Sequence, residues 1–324
     1  MREIKHFGRL WPERTSAVGV FSGQLASPAR TPSAAVATTL ALLLVLGFLP
    51  VPLPPSFAAA VDPPNLTPKM SGAFNEYVRA VDARNRLELE RGSDLLWIDA
   101  LPEAARKRAY AELERGEIQL EQRPRRESGE ETTCPGCMIH HWVGLVFIPG
   151  TKLDDVLRVL EDYDHHAEYY APDVARSRIE SRDGDHFRVF LRFRRKKVIT
   201  VVLNTEHAVT YFRDSASRAH SRSRATHIAE VDHAGKANEQ EKTPGDDNGF
   251  LWGMETWWRM EERDNGVYVQ SEAVSLTRNI PTGLGWMIGP LVIGIPKETL
   301  TFTLEATRKA VLAQPQTGRN AAQH

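Results

Sequence analysis

Residues 250–278, FLWGMETWWRMEERDNGVYVQSEAVSLTR, decide the fold because they predict a hairpin of two long strands. The Asn-Gly pair at 265–266 is a strong signal for a two-residue turn of type I′. Such a turn fixes the strand register, so we expect Met260 to lie opposite Ser271. Turn signals and alternating patterns upstream extend this hairpin into a larger antiparallel sheet.

Alternate residues of the hairpin fall on different faces of the predicted sheet. One face carries large apolar side chains opposite small ones: Trp252, Met254, Trp258 and Met260 against Ser271, Ala273, Ser275 and Thr277. The other face pairs Arg259 with Glu272, an opposite-charge pair suited to water. We therefore expect the Trp/Met face to point inward and to leave concave space beside its small residues.

Patterns on both sides of the hairpin predict an α+β domain. Helical spacing occurs in 69–91 and 102–115, strand alternation in 117–122 and 140–148, an amphipathic helix in 151–163, and further strands in 174–182, 185–195, 198–212 and 216–231. Residues 232–248 are polar and predict a loop. A C-terminal helix is predicted from Pro296, because proline is favoured in the first helical turn.

From His140 to Val311 the chain resembles the START-like (SRPBCC) lipid-binding superfamily. The resemblance rests on IHHWVGLVFIPG, TKLDDVLRVLEDYDHHAEYYAPDV, KKVITVVLNTEH and the hairpin continued through NIPTGLGWMIGP. It implies a helix-grip fold, a curved antiparallel sheet wrapped around a long C-terminal helix with an apolar cavity between them. The implied domain is 134–313, preceded by a helical extension and loop in 61–133 and followed by a disordered tail in 314–324.

The resemblance also implies which side chains surround a ligand. By position, the cavity wall would comprise Trp252, Met254, Trp258 and Met260, and its mouth Tyr169, Tyr170 and Trp286. Methionine suits such a wall because its flexible side chain adapts to varied ligands. In the alternative interpretation these side chains only fill the core.

The function implied is binding of a hydrophobic small molecule, a lipid or isoprenoid, for transport or sensing, without a cofactor. One alternative is a cyclase- or hydrolase-like enzyme that uses the same cavity. No catalytic residue is assigned, since the common nucleophile, metalloprotease and nucleotide-binding motifs are missing from the sequence. The other alternative is an envelope interaction module in which residues 69–115 dock a partner.

The N-terminal 60 residues predict export. An uncharged apolar run, 35–49, follows a basic segment and precedes prolines and a small-residue Ala-Ala-Ala site at 58–60. This order is typical of a signal peptide and places the protein in the periplasm or outside the cell. An uncleaved membrane anchor formed by 35–49 is the alternative.

Cys134 and Cys137 are the chain's two cysteines, in the sequence CPGC. In an oxidising compartment such a pair usually forms a disulfide, which we predict. A zinc site is disfavoured because the adjacent His140 and His141 point to opposite faces of a strand. A thioredoxin-like redox role is disfavoured because that motif begins a helix.

Two charged stretches leave their function open. In FRVFLRFRRKK, 187–197, alternation puts Arg192, Arg194 and Lys196 on one face, which could contact anionic lipid head groups or be an ordinary exposed face. Residues 162–166, DYDHH, could carry acid–base chemistry or form a solvated helix end. A net charge of −1 argues against nucleic acid as a partner.

Overall fold

The computed structural model describes residues 65–93, 95–124, 132–197, 199–279 and 285–314, except the side chains of 285–293. The chain divides into two units, Met1–Ala59 and Ala60–His324, and all of the described residues belong to the second. The predicted signal peptide or anchor therefore lies outside the described residues, as does the tail after 314. None of the helices in the described ranges is both long and apolar enough to cross a membrane.

Helices and strands follow the predicted order. The helices are α1 (Pro68–Arg91), α2 (Glu103–Glu114), α3 (Leu153–Glu161), α4 (His166–Tyr169) and α5 (Gly285–Ala313). The strands are β1 (Gln119–Gln122), β2 (Cys137–Pro149), β3 (Val174–Asp183), β4 (His186–Lys196), β5 (Thr200–Arg213), β6 (Arg218–Asp232), β7 (Gln240–Glu241), β8 (Gly253–Arg263) and β9 (Gly266–Arg278). Short 3-10 helices occupy Trp97–Ala100 and Tyr163–His165.

The strands form an antiparallel sheet in the order β1-β2-β9-β8-β6-β5-β4-β3, and β7 pairs with the end of β6. Helix α5 lies on one face of this sheet, which we call the concave face. Leu300 and Leu304 of α5 approach β2 so closely that a Cβ on Gly144 would lie 2.6 Å from Leu304 Cδ1. The predicted helix-grip arrangement of sheet and C-terminal helix is confirmed.

The hairpin turn lies one residue earlier than predicted. Asp264 and Asn265 are its two central residues, each with φ 55°, and Arg263 pairs with Gly266. The predicted register is therefore wrong by two residues: Met260 lies opposite Val269, not Ser271. Because a shift of two preserves the alternation of side chains, the predicted faces are unchanged. Gly266 is needed in the strand, since a Cβ there would lie 2.5 Å from the Phe147 ring.

The opposite, convex face of the sheet is covered by α1 and α2. Thr67 caps α1 through the amide of Met70 at 3.3 Å, Pro68 follows in the first turn, and Gly92 ends the helix with φ 67°. The apolar stripe of α1 packs on β2, β8 and β9: Met70, Phe74, Tyr77, Val78 and Val81 meet Ile139, Trp257, Val274 and Leu276. The prediction that the Arg259 and Glu272 face meets water is wrong, since both residues are buried.

Helix α5 begins earlier than predicted. Its first residue is Gly285, so Pro296 lies inside the helix rather than in its first turn. Four described side chains of α5 belong to one buried cluster with residues of β2, β8 and β9: Leu300, Leu304, Ala310 and Val311 with Val146, Ile148, Met260, Val267 and Val269. This core fills one end of the concave face.

Candidate ligand-binding site

Beside that core, the side chains of the concave face change from large and apolar to small and polar. A filled apolar row crosses the sheet through Val146, Val269, Met260 and Ala219. The next three rows carry small and polar side chains: Gly144, Ser271, Trp258 and Ser221; Trp142, Ala273, Thr256 and Ser223; His140, Ser275 and Met254. We call these eleven residues the concave floor. Leu304 of α5 covers Gly144, whereas the small residues of β9 lie between the strands that carry Trp142 and Trp258. We call the space over these small residues of β9 the recess.

Two polar atoms of the concave floor are buried without a hydrogen-bond partner. Within the described part of the chain, Trp142 Nε1 and Ser221 Oγ make no hydrogen bond. Ser221 is 2% exposed, so water does not readily supply the missing bond. An unsatisfied buried polar group costs roughly 1–3 kcal/mol, and such groups in native structures call for an explanation. A bound molecule that reaches both atoms would provide one.

Two buried histidines lie at opposite sides of the floor. His140 on β2 shares a hydrogen bond with the Thr277 hydroxyl at 3.0 Å. His207 on β5 lies 2.9 Å from Thr205 Oγ1 and 3.4 Å from Ser223 Oγ. Burial lowers the pKa of His207 to about 4, so its ring is neutral at physiological pH. Both histidines can therefore orient hydroxyl groups along the recess.

The predicted wall residues do not all reach the recess. Met254 and Trp258 lie on the concave floor and are half-buried. Met260 is fully buried in the filled row. Trp252 does not lie on the concave floor as the sequence predicts, because its ring packs with the α1 cluster and its Nε1 donates to Asp247 at 2.7 Å. It precedes the first residue of β8, where the strand alternation begins.

The predicted mouth residues lie against α5. Tyr170 is buried, and its hydroxyl lies 3.0 Å from Thr307 Oγ1 of α5. Tyr169 is half-buried and donates to Asp162 Oδ2 at 2.6 Å. These two bonds tie α4 to the C-terminal helix and to the end of α3. The side chain of Trp286 lies outside the described residues.

The cysteine pair forms the predicted disulfide, with Cα atoms 5.2 Å apart. The adjacent histidines point to opposite faces as expected: His140 belongs to the concave floor and contacts Thr277, and His141 contacts Glu272 on the convex face. Among the described residues no group of three or more His, Cys, Asp or Glu side chains could hold a metal ion. The disulfide lies with Met70 and Phe74 of α1, in the cluster under that helix.

The convex face holds a buried ionic network. Glu272 accepts from His141 Nε2 at 2.6 Å and pairs with Arg84 of α1, while Tyr77 lies 2.7 Å from His141 Nδ1. Burial alone would raise the pKa of Glu272, but the His141 hydrogen bond and the Arg84 charge outweigh it and hold the pKa well below its ordinary value. Arg259 nearby pairs with Glu88 at 2.6 Å. These contacts fasten α1 to the sheet.

The basic stretch of β4 is only partly available for a partner. Arg192 is buried, and its two Nη atoms donate to Glu239 at 2.7 and 2.8 Å. Arg192 is therefore not free for the predicted membrane contact, a correction that follows from this ion pair. Arg194 and Lys196 on the same face are exposed.

The two histidines of the DYDHH stretch after α3 differ in burial. His165 is exposed and pairs with Asp162 at 2.7 Å, the arrangement of a solvated helix end. His166 is buried 3.2 Å from the Val159 carbonyl, and burial lowers its pKa to about 4. The two histidines thus face different surroundings and do not converge on a common site.

No family model matches the chain, and no curated protein matches it. Solved structures do. One is a STAR-related lipid transfer protein from Xanthomonas axonopodis, 18% identical, covering 56% of this chain and 96% of its own, with a TM-score of 0.38. Human STARD10 is 10% identical, and the match covers 67% of this chain and 82% of STARD10, with a TM-score of 0.37. The Zhui aromatase/cyclase of a Streptomyces species is 13% identical, and the match covers 54% of this chain and 94% of that protein, with a TM-score of 0.34.

Strand order, antiparallel pairing and the helix across the concave face agree with the resemblance that the sequence shows. The chain has the helix-grip architecture that this resemblance implies. A fold does not determine a function, so the chemistry of the site follows from the residues of the concave floor.

Sequence reasoning missed several residues of the floor. Trp142, Ser221 and Ser223 were not singled out, although Ala219, Ser221, Ser223 and Ala225 repeat small side chains at every second position of β6. The same signal was recognised on β9, where the turn fixed the faces. On β6 the polar residues SRSR at 221–224 obscured it, because two serines and two arginines alternate between the concave and convex faces.

Proposed function

We propose that the concave floor binds a hydrophobic small molecule of the lipid or isoprenoid class, for transport or sensing. The observation that carries the proposal is that Trp142 Nε1 and Ser221 Oγ, both on the part of the concave face with small side chains, are buried without hydrogen-bond partners among the described residues. Around these atoms, half-buried Trp258 and Met254 offer apolar surface. Burial of ligand surface there would contribute about 25 cal/mol per Å².

The predicted interaction module is less well supported. That alternative needs an exposed apolar stripe on residues 69–91, whereas Phe74, Tyr77 and Val81 are buried against the sheet. An enzyme would need convergent acid–base groups in the recess. His207 is neutral and hydrogen-bonded to hydroxyls, which suits positioning of a ligand better than proton transfer.

Export remains part of the proposal. The Cys134–Cys137 disulfide is the kind of bond that persists in an oxidising compartment. Exposed Arg194 and Lys196 lie on the convex face of β4, where they could then meet an anionic membrane surface.

The test is native mass spectrometry of the full chain purified from an exporting host, followed by solvent extraction. Co-purifying mass that extracts as a lipid-like compound would support the proposal. A matched pair of variants locates the ligand: Ala273→Trp blocks the recess, whereas Ala208→Trp adds the same bulk at an exposed position of β5. Loss of the added mass in the first variant alone is expected.

Circular dichroism and cooperative unfolding would first establish that both variants fold. Retention of the ligand in folded Ala273→Trp would move the site away from the floor. A wild-type chain that carries no co-purified ligand and also binds none of a panel of lipids and quinones would overturn the proposed function.

A further inference from the structure

We infer that the ligand of the concave floor presents an uncharged hydrogen-bond acceptor to the sheet, such as an ester, ketone, quinone or alcohol oxygen. The inference rests on the proposed function and narrows it, because it excludes carboxylate, phosphate and amine groups from the buried end of the ligand. Three observations lead to this inference. The charged side chains of β8 and β9 lie on the convex face, residues 280–293 contain no ionisable side chain, and two buried polar atoms of the floor lack hydrogen-bond partners among the described residues.

The charged side chains of β8 and β9 beside the floor point away from it. Glu255, Arg259, Glu261 and Glu272 all lie on the convex face, where each has an oppositely charged neighbour. The concave positions of the same strands, from 254 to 260 and from 269 to 277, hold only Met, Thr, Trp, Val, Ser and Ala. The alternation of the strands thus separates charge from the floor.

The chain between β9 and the described side chains of α5 is uncharged. Residues 280–293 read IPTGLGWMIGPLVI, with no ionisable side chain. Near the beginning of the described α5 side chains, Lys197 pairs with Glu298 at 2.6 Å and Arg195 pairs with both Asp173 and Glu298, while Lys297 of α5 is exposed to solvent. Among these described cations, Arg195 and Lys197 already have carboxylate partners and Lys297 is exposed, so a buried anionic end of a ligand would gain no buried cation here.

The two buried polar atoms without partners favour a ligand that offers a hydrogen-bond acceptor. An indole N–H can only donate, so Trp142 Nε1 requires an acceptor oxygen from the ligand. The Ser221 hydroxyl can donate or accept and is compatible with the same oxygen chemistry. Burial of His207 keeps its ring neutral, so it adds a hydrogen-bonding group without a charge. Burying an unpaired ion would cost far more than burying a neutral polar group that gains hydrogen bonds.

The test compares four amphiphiles with the same chain length and different ends. Binding of decanol, methyl decanoate, decanoate and decylamine to the full chain is measured by isothermal titration calorimetry at neutral pH, below their aggregation concentrations. We expect the alcohol and the ester to bind at least about tenfold more tightly than the two ions. The head group of any co-purified lipid is read in parallel by extraction.

The outcomes separate the two proposals. Decanoate or decylamine binding as tightly as decanol, or a co-purified lipid whose only polar end is charged, would overturn this inference while leaving the binding function intact. Absence of both amphiphile binding and co-purified lipid would overturn the proposed function, and this inference with it.

A tryptophan pair tests the donor. Trp142→Phe removes the N–H and keeps an aromatic ring, so methyl decanoate should bind about fivefold more weakly through loss of one hydrogen bond. Trp257→Phe is the matched control on the convex face, where Nε1 donates to Asp82 at 3.0 Å, and it should leave binding unchanged. Wild-type affinity of a folded Trp142→Phe variant would contradict the assigned donor.

Discussion

On the convex face of the sheet, Glu272 lies beneath α1 and is held by His141 and Arg84, whereas on the concave face Ser221 is just as deeply buried and has no partner among the described residues. Both faces are covered, but they differ in charge: beneath α1 the buried ionic groups pair with one another, although Asn85 Nδ2 lacks a hydrogen-bond partner among the described residues, whereas the concave floor carries neutral groups. Helix α1 brings the arginine and glutamate side chains that match the sheet. The concave floor lacks such matching groups, which is what a site for an external molecule requires.

The largest expected effect comes from breaking the convex network. Glu272→Ala removes the buried carboxylate that both Arg84 and His141 contact, so the free energy of unfolding should fall by about 3–5 kcal/mol. Urea denaturation measures this. Glu180→Ala, which removes an exposed pair with Arg178, is the control and should change the same quantity by less than about 1 kcal/mol. Equal effects of the two substitutions would contradict the comparison.

Acid should weaken the two faces in different pH ranges. Because burial lowers the pKa of His207 from 6.5 to about 4, the unfolded chain takes up a proton first, and stability falls between pH 6.5 and 4 by about 3 kcal/mol. Buried His166 acts in the same direction and range. The pKa of Glu272 is held low, so its contribution is lost only below the ordinary range of a glutamate.

His207→Gln separates these ranges. The variant should lose part of the stability change between pH 6.5 and 4 and keep the change at lower pH. Thermal or urea unfolding across a pH series measures both. A variant with the same pH dependence as the wild type would show that His207 is not buried as a neutral ring.

Removing the disulfide should cost less. Cys134→Ser with Cys137→Ser opens a short loop beside α1, and the chain-entropy model gives about 2 kcal/mol of unfolding free energy. Wild-type protein in a reductant should approach the same value, whereas the double variant should not respond to the reductant. Ligand binding on the concave face should survive. An equal response of both proteins would contradict a disulfide that stabilises this layer.

The smallest contrast compares two alanines on the same face. Ala219 lies in the filled row and is 1% exposed, so Ala219→Leu overpacks the core and should cost about 1–3 kcal/mol. Ala273→Leu places the same side chain over the recess and should change the free energy of unfolding by less than about 1 kcal/mol. Denaturation of the two variants compares them directly. Equal costs would mean that the recess is packed.

The sequence predicted the elements and the faces of the hairpin better than its register. Both candidate turns, at 264–265 and 265–266, contain residues that tolerate positive φ, so composition alone did not separate them. The error was harmless for the faces, since moving a two-residue turn by one position shifts the pairing by two. The beginning of β8 was predicted less accurately: Trp252 was included in the strand alternation, whereas the strand begins at Gly253.

The convex network could not be found from local patterns. An Arg259–Glu272 face is indistinguishable from a solvated face until the element that covers it is known. The apolar stripe of 69–91 indicated that this helix must pack somewhere, but a single sequence does not say where. The start of α5 was missed for a related reason, because glycines and Pro290 before Pro296 are typical of a loop.

Adjacent tryptophans on β8 give the molecule two built-in optical reporters. Trp257 packs beneath α1, and Trp258 lies on the concave floor, so one step along the strand crosses from one face to the other. Emission from Trp258 should respond to a molecule entering the recess, whereas emission from Trp257 should respond when α1 separates from the sheet. Single phenylalanine replacements would therefore resolve filling of the site from loosening of its support within the same protein.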